Sequence, residues 1–279
     1  MKNLPLTIIS WNVNGLRQRH TMNEFLQILR HNPDFVCIQE AKTEMDRIPP
    51  DLKNLHGYHL FCAPAPRDFA EVMLFSRHRP VAVRYGFGGS PFDTEGRIII
   101  AEFPAFILMN VYVPLGNGFV DTLPHKLAFC DALLAHTATL QAQGRPVILC
   151  GDFGIAHTDE DVESVRKRAA RQVSTSVAER EKIDRLIQLG FSDVIRMFLK
   201  GRGSYTWWPN GFRAADRHTG RRVDYFFVNE PAKQMVLSAE ILSGVEGSDH
   251  APLMLEIRSP PGGAGGNPAG TTAPDKSNP

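Results

Sequence analysis

Polar residues able to handle metals and protons recur at the ends of apolar runs. Asn12 and Asn14 follow TIISW, Glu40 follows DFVCIQ, Tyr112 ends FILMNV, Asp152 follows PVILCG, Asp224 opens DYFFV, and Asp249-His250 precede APLMLEI. One acid at a strand end is ordinarily a solvated turn residue. Six runs that each bring an amide, carboxylate, phenol or imidazole to one rim make a pocket when their ends converge. With no cysteine among them, these donors suit a hard cation, Mg²⁺ or Mn²⁺ in its place. Mg²⁺ takes few protein ligands and shares its remaining positions with phosphate oxygens and water. A His beside an Asp, with further acids elsewhere, permits an oriented base that activates water. Metal, oriented His and Tyr together point to phosphodiester hydrolysis.

The elements that must position these groups are short apolar runs: LTIISW, DFVCIQE, YHLFCA, VMLFS, RIIIAEF, FILMNVYVP, PVILCGD, VDYFFVN and APLMLEI. They are rich in β-branched and aromatic residues, and turn formers bound most of them, so they predict strands. IIIAEF and FILMNVYV are apolar on both faces, as interior strands of a layered protein are. Helices are expected at Met22–His31, Thr122–Gln143 and Ala178–Leu189. One α/β domain with two packed sheets and covering helices fits this order.

The whole chain has 279 residues, 43% of them hydrophobic, which suffices for a large core without disulfides or structural zinc. Its 31 Lys+Arg against 30 Asp+Glu exclude a polybasic or an acidic disordered protein. A local basic stripe for nucleic acid stays compatible with that balance. Cys37, Cys62, Cys130 and Cys150 form no CxxC and sit among apolar neighbours. They predict buried free thiols in a reducing, cytoplasmic compartment. The N-terminus makes a poor signal peptide, and no run approaches membrane-spanning length, so no membrane partner is expected. Residues 259–279 are Pro/Gly-rich without a large apolar side chain and predict a disordered tail behind one catalytic domain, 1–258.

The motifs SWNVNGLR (Ser10–Arg17), CIQEAK (Cys37–Lys42), EGRIIIAEF (Glu95–Phe103), NVYVP (Asn110–Pro114), PVILCGD (Pro146–Asp152), SYTWWP (Ser204–Pro209), RRVDYFFVN (Arg221–Asn229) and GSDHAP (Gly247–Pro252) occur in this order. Together they resemble the exonuclease III family of apurinic/apyrimidinic (AP) endonucleases, over essentially Leu6 to Ile257. The wider superfamily includes phosphoinositide phosphatases, sphingomyelinases and deadenylases; WNVNGLR, GRIIIAEF and YTWW favour the DNA-repair branch. The resemblance implies a four-layered α/β sandwich, two packed mixed β-sheets flanked by helices, with the site at one edge. It implies Mg²⁺ held by Glu40, with Asn12, Asp152, Asp249 and His250 around the same centre. His250 would contact the scissile phosphate or act as base, Asp224 would orient it, Asp152 would handle the water or leaving-group proton, and Tyr112 would touch the phosphate. The residues alone leave the division of labour between His250 and Asp152 open. The implied substrate is double-stranded DNA with abasic or damaged sites, cleaved 5′ to the lesion and trimmed at 3′ ends by a monomer.

The departures from this pattern are specific. The family reads Gly-Asp-x-Asn where this chain has Gly154, Asn or Gln where it has Leu115, a small residue where it has Glu71, and a bulky apolar residue where it has Arg221. The metal and His set is intact while two polar phosphate contacts are gone. A weakened homologue that binds DNA or a partner is the alternative from another class, and a sibling phosphatase on lipid or nucleotide a third. Asp152-Phe153-Gly154 spells the DFG of protein kinases, but no HRD or VAIK accompanies it. Gly86-Phe87-Gly88-Gly89 reads as a loop, not a dinucleotide cradle. Trp207 serves either the core or, by the resemblance, the wall against an abasic sugar. Two basic segments, Arg166-Lys167-Arg168 with Arg171, and Arg196 to Arg222 including Arg221 and Arg222, fall between site motifs and predict phosphate contacts. Lys126 matches a basic position following the Tyr strand and is assigned to the same contact surface.

Overall fold

The computed structural model describes residues 4–65, 72–116, 122–163, 176–209 and 220–259. The first half of the chain supplies β1 (Leu6–Asn12), β2 (Phe35–Gln39), β3 (His59–Cys62) and β4 (Met73–Ser76), and its end supplies β11 (Val236–Ile241) and β12 (Leu253–Ile257). These form one sheet in the order β11-β12-β1-β2-β4-β3. The middle supplies β5 (Ala82–Arg84), β6 (Ile98–Glu102), β7 (Ile107–Tyr112), β8 (Val147–Asp152), β9 (Phe191–Asp193) and β10 (Asp224–Asn229), ordered β5-β6-β7-β8-β10-β9. Both sheets are mixed: β1 runs parallel to β2, and β7 parallel to β8, while their other pairings are antiparallel.

The four layers follow from which faces are apolar. Ile8, Phe35, Cys37 and Leu74 of one sheet meet Leu108, Ile148, Cys150 and Phe226 of the other in a central core. The outer face of the first sheet, with Ile9, Trp11 and Val36, is covered by Leu16, Phe25, Ile28 and Leu52 from α1 (Leu16–Thr21), α2 (Phe25–Leu29) and α3 (Pro50–Lys53). The outer face of the second, with Ile100, Met109 and Leu149, is covered by Phe129 and Leu133 of α4 (Leu123–Ala142) and Ile183 and Leu186 of α5 (Val177–Gln188). This is the four-layered sandwich the resemblance implies. Burial on both faces explains why the inner strands read as continuous apolar runs.

Every predicted run forms a strand, and α4 and α5 fall where helices were expected. The expected helix Met22–His31 is shorter than predicted: only α2 falls within it, and Asn23, with a φ of 59°, separates it from α1, which ends at Thr21. Cys62 is half-buried on the edge strand β3, a correction to the expectation of four buried thiols; all four cysteines are free. The Gly86–Ser90 loop is filled from within, since the Asp93 carboxylate accepts from the backbone N–H groups of Phe87, Gly88, Gly89 and Ser90. Among the described residues no helix is long and apolar enough to cross a membrane. The Pro/Gly-rich stretch 260–279 lies outside the described residues.

Register carries the rim residues to one edge. The parallel pairing sets Asn12 opposite Gln39, so that the chain beyond β2 delivers Glu40 beside Asn12. Tyr112 pairs with Asp152 across β7 and β8, and Asp224 pairs with Asp152 because β10 begins where β8 ends. β12 runs antiparallel to β1, with Leu253 opposite Ser10, so His250 just before it lands at the same edge. Below this edge the two sheets are tied: Gln39 Nε2 donates to Asn110 Oδ1 at 2.7 Å, and Asn110 Nδ2 donates to the carbonyls of Ile38 and Met73. This buried polar tie holds one sheet against the other.

Candidate active site

Asn14, Glu40, Leu115, Asp152, Gly154, Trp207, Pro209, Val223, Asp249 and His250 line one cavity of about 520 Å³. At its floor His250 Nδ1 lies 2.9 Å from Asp224 Oδ2 and 3.2 Å from Oδ1. Its Nε2 faces Asp152 Oδ2 across 3.8 Å. Ligand atoms of Asp152, Asp224 and His250 lie within 4.8 Å of one another, a cluster that could hold a cation. The supports are local. Ser248 Oγ donates to the Asn12 carbonyl and accepts from the His250 N–H, and Thr206 Oγ1 accepts from the Val223 and Asp224 amides.

The carboxylates are differentiated by their surroundings. Burial pushes Asp152 up to about 7; Asp224 and Glu40 add to this, while His250 and Asn12 oppose it. Burial lowers His250, but Asp224 and Asp152 outweigh it and raise the imidazole to about 10. It is therefore a cation at neutral pH. Burial raises Glu40, but Lys42 and Asn12 overcome it and hold the carboxyl below its ordinary range. Asp249 is likewise raised by burial and lowered further by His250, Asn14 and Trp207. Burial and Glu40 keep the Tyr112 phenol protonated well beyond its usual range.

Glu40 is the meeting point of several groups. Its Oε1 accepts from Asn12 Nδ2 at 2.9 Å and Tyr112 Oη at 2.7 Å, and its Oε2 pairs with Lys42 Nζ at 2.7 Å. Lys42 also donates to Asn14 Oδ1, whose amide donates to Asp249; Trp207 Nε1 donates to the other Asp249 oxygen. Lys42 went unnoticed in the sequence, although its place two residues after Glu40 was a usable signal. Three carboxylates, Glu40, Asp152 and Asp249, line the cavity with no thiol among them, a set that fits a hard divalent ion. Burial is the main reason Asp152 is raised, and the neighbouring charges of Asp224 and Glu40 add to it.

The structure redirects several expected roles. Asn12 is fully buried; its Nδ2 joins Glu40 to Asp152, and its Oδ1 accepts from the Asn14 N–H, so it braces the two carboxylates. Tyr112 is 4% exposed and turns its hydroxyl to Glu40, so it orients that carboxylate and does not reach the cavity surface. Lys126 is fully buried and ion-paired to Glu179, which removes it from any DNA surface. Arg222 is 1% exposed, paired with Asp161 and Asp193 and stacked on Tyr225, so it too is an interior cation. Arg221 is buried with its guanidinium over the Trp207 ring, bracing that ring and not facing a duplex. Trp207 does line the cavity. Arg166, Lys167, Arg168 and Glu71 lie outside the described residues.

Fold and pocket together define a four-layered α/β sandwich whose sheets meet at an acid- and histidine-lined rim. Residues 9–250 match the model of the endonuclease/exonuclease/phosphatase family, and the chain belongs to that family. It is 34% identical over 254 residues to an exodeoxyribonuclease of Bacillus subtilis (strain 168), covering 90% of this chain and 99% of that one. It is 35% identical over 255 residues to recombination repair protein 1 of Drosophila melanogaster, covering 91% of this chain but only 37% of that longer protein. The fold matches an AP endonuclease from Archaeoglobus fulgidus with a TM-score of 0.79 and 25% identity, covering 91% of this chain and all of that one.

Proposed function

We propose that the chain is a Mg²⁺-dependent phosphodiesterase, with Mn²⁺ able to substitute, acting as a monomer on double-stranded DNA. It cleaves 5′ to abasic or damaged nucleotides and trims 3′ ends, through one catalytic domain over residues 1–258. The observation that carries this reading is the Asp152–His250–Asp224 arrangement facing Glu40 and Asp249 across one cavity. The named activities of the relatives above support the choice of DNA over other phosphodiesters. Glu40 and Asp249 are the carboxylates placed to hold the cation, which when bound neutralises charge developing on the phosphate. His250, held cationic by Asp224, is suited to a non-bridging phosphate oxygen. Asp152 lines the cavity beside His250, its Oδ2 3.8 Å from Nε2, and is placed to take the proton of the attacking water. The flat wall of Trp207 with Pro209 suits a sugar lacking its base. Incubating the protein with a duplex holding one abasic site, with and without Mg²⁺, tests this. Metal-dependent nicking 5′ to the lesion is expected, and its absence at high enzyme concentration overturns the reading.

Gly154 favours a slow version of this enzyme. It lines the cavity two residues after Asp152, where the resemblance places an Asn, and glycine offers the phosphate no side-chain donor. Its φ of 58° lies in the left-handed region, which Asn tolerates better than most residues. A Cβ there would meet Lys126 Nζ at 3.3 Å and Leu115 Cδ2 at 3.9 Å, so the ammonium must yield by a few tenths of an ångström. One preorganised donor is worth roughly 10²–10³ in kcat at an oxyanion hole. Gly154→Asn should raise single-turnover nicking at least several-fold with KM little changed. A well-folded variant that is no faster removes position 154 as the missing contact.

The segment Arg166–Lys167–Arg168 is assigned to the duplex backbone. Neutralising all three should weaken DNA binding and flatten its salt dependence, by about one unit of log–log slope per lost contact. Binding titrations over a range of NaCl measure this, and an unchanged slope returns the segment to an ordinary solvated face.

A further inference from the structure

The structure contains a charge pair that the proposed chemistry does not use. Lys126, on the first turns of α4, and Glu179, on the first turn of α5, form an ion pair at 2.8 Å with both side chains wholly buried. Glu179 is also the acid of the capping box that starts α5, its Oε2 accepting from the Ser176 N–H and hydroxyl. Removing two charges from water is expensive, and apolar residues of similar size commonly replace such pairs without loss of stability. Stability alone is therefore a weak account of it. What distinguishes this pair is where the ammonium sends its other hydrogens. Lys126 Nζ donates to the Gly154 carbonyl at 2.9 Å and lies 3.5 Å from the Leu115 carbonyl. An ammonium has three donors, and here they reach one helix and the two chain segments that leave β7 and β8 beside the cavity.

The next link runs to the chemistry. Gly154 is held in the left-handed region, and its N–H donates to Asp152 Oδ1 at 2.8 Å. That bond occupies one carboxylate oxygen and leaves Oδ2 to face Asn12 and His250. Lys126 thus fixes the residue that fixes Asp152. We infer that Lys126, charge-balanced by Glu179, is a positioning residue that locks the Gly154 backbone and through it sets the rotamer of Asp152. The inference rests on the reading of this pocket as a phosphodiesterase site. Its geometric half does not depend on which phosphodiester is cut.

The single variant Lys126→Met leaves a buried carboxylate unpaired and is expected to destabilise the fold. The informative protein is the double variant Lys126→Met with Glu179→Gln. It removes both charges, keeps a Gln able to serve the capping box, and retains side-chain volume. A merely structural pair predicts that this variant, once folded, turns over like wild type. A positioning role predicts a melting temperature near that of wild type, kcat on an abasic duplex lower by roughly 10- to 100-fold, and KM changed less than about two-fold, as for a misplaced catalytic group. It also predicts that the Gly154 amide, followed by NMR hydrogen exchange without DNA or metal, exchanges at least roughly ten-fold faster while the amides of β8 do not. Unchanged kcat together with unchanged Gly154 exchange overturns the inference. If wild type cleaves no abasic duplex, the functional reading fails instead, and the exchange measurement still decides the positioning role.

Discussion

Glu40→Ala is expected to abolish useful turnover at millimolar Mg²⁺ while leaving the fold intact. Glu40 sits at the rim, and two of its three partners can be satisfied without it. Lys42 is more than half exposed and can return to solvent, and Asn12 keeps its bond to Asp152. The loss is therefore local. It removes one of the carboxylates placed to hold the cation, leaves the buried Tyr112 hydroxyl without its acceptor, and frees Lys42 to return to solvent. A metal ion contributes several kcal/mol of charge stabilisation in such reactions. At about 1.4 kcal/mol per factor of ten, a rate loss of roughly 10² or more follows. Glu40→Gln should fall nearly as far, because it keeps the shape and removes the charge. Two measurements check this: single-turnover nicking of an abasic duplex, and Mn²⁺ affinity by calorimetry in the absence of DNA. A variant that nicks at the wild-type rate, or binds Mn²⁺ as tightly, removes Glu40 from the metal site.

The strands that carry the chemistry were legible because they are buried on both faces and read as unbroken apolar runs. β5, β9 and β11 were not. β5 and β9 have three residues each, too few for a period, and β11 carries Ser238 and Glu240 on a half-exposed edge. The rim residues were legible from residue type at strand ends, and strand register explains why they converge. Cations were the least legible. Lys126 and Arg222 look like surface charges in the sequence, yet both are interior, because each has a buried acid supplied from a distant segment: Glu179 for one, Asp161 and Asp193 for the other. Long-range partners leave no local pattern. A Ser176-x-x-Glu179 capping box starts α5 in the structure, and nothing in that local pattern reveals that the same carboxylate serves Lys126. The Gln39–Asn110 tie was hidden for the same reason, since each amide lies in a run read for its apolar content.

Asp224→Asn should damage turnover far more than DNA affinity. Asp224 touches no cavity surface; its work is on His250 Nδ1, and it is the largest of the charges that hold the imidazole cationic against the pull of burial. With a neutral amide there, the largest of these charges is gone and burial pulls the imidazole pKa down. A positioned proton-handling or charge-bearing group of this kind is worth roughly 10²–10⁴ in rate, and kcat should fall by that factor while Kd for the duplex moves little. The same change has a stability signature with a definite sign. His250 is raised from an ordinary value of 6.5 to about 10, so the folded state binds its proton more tightly than the unfolded state. That stabilisation is fully present below pH 6.5 and is lost as pH rises through about 10. In EDTA, the melting temperature of Asp224→Asn should therefore lie furthest below wild type near pH 6, and the two curves should converge toward pH 10. A purely steric effect of the substitution would give a constant gap. If instead kcat is unchanged and binding is lost, Asp224 does not act through His250, and the division of roles between His250 and Asp152 must be redrawn.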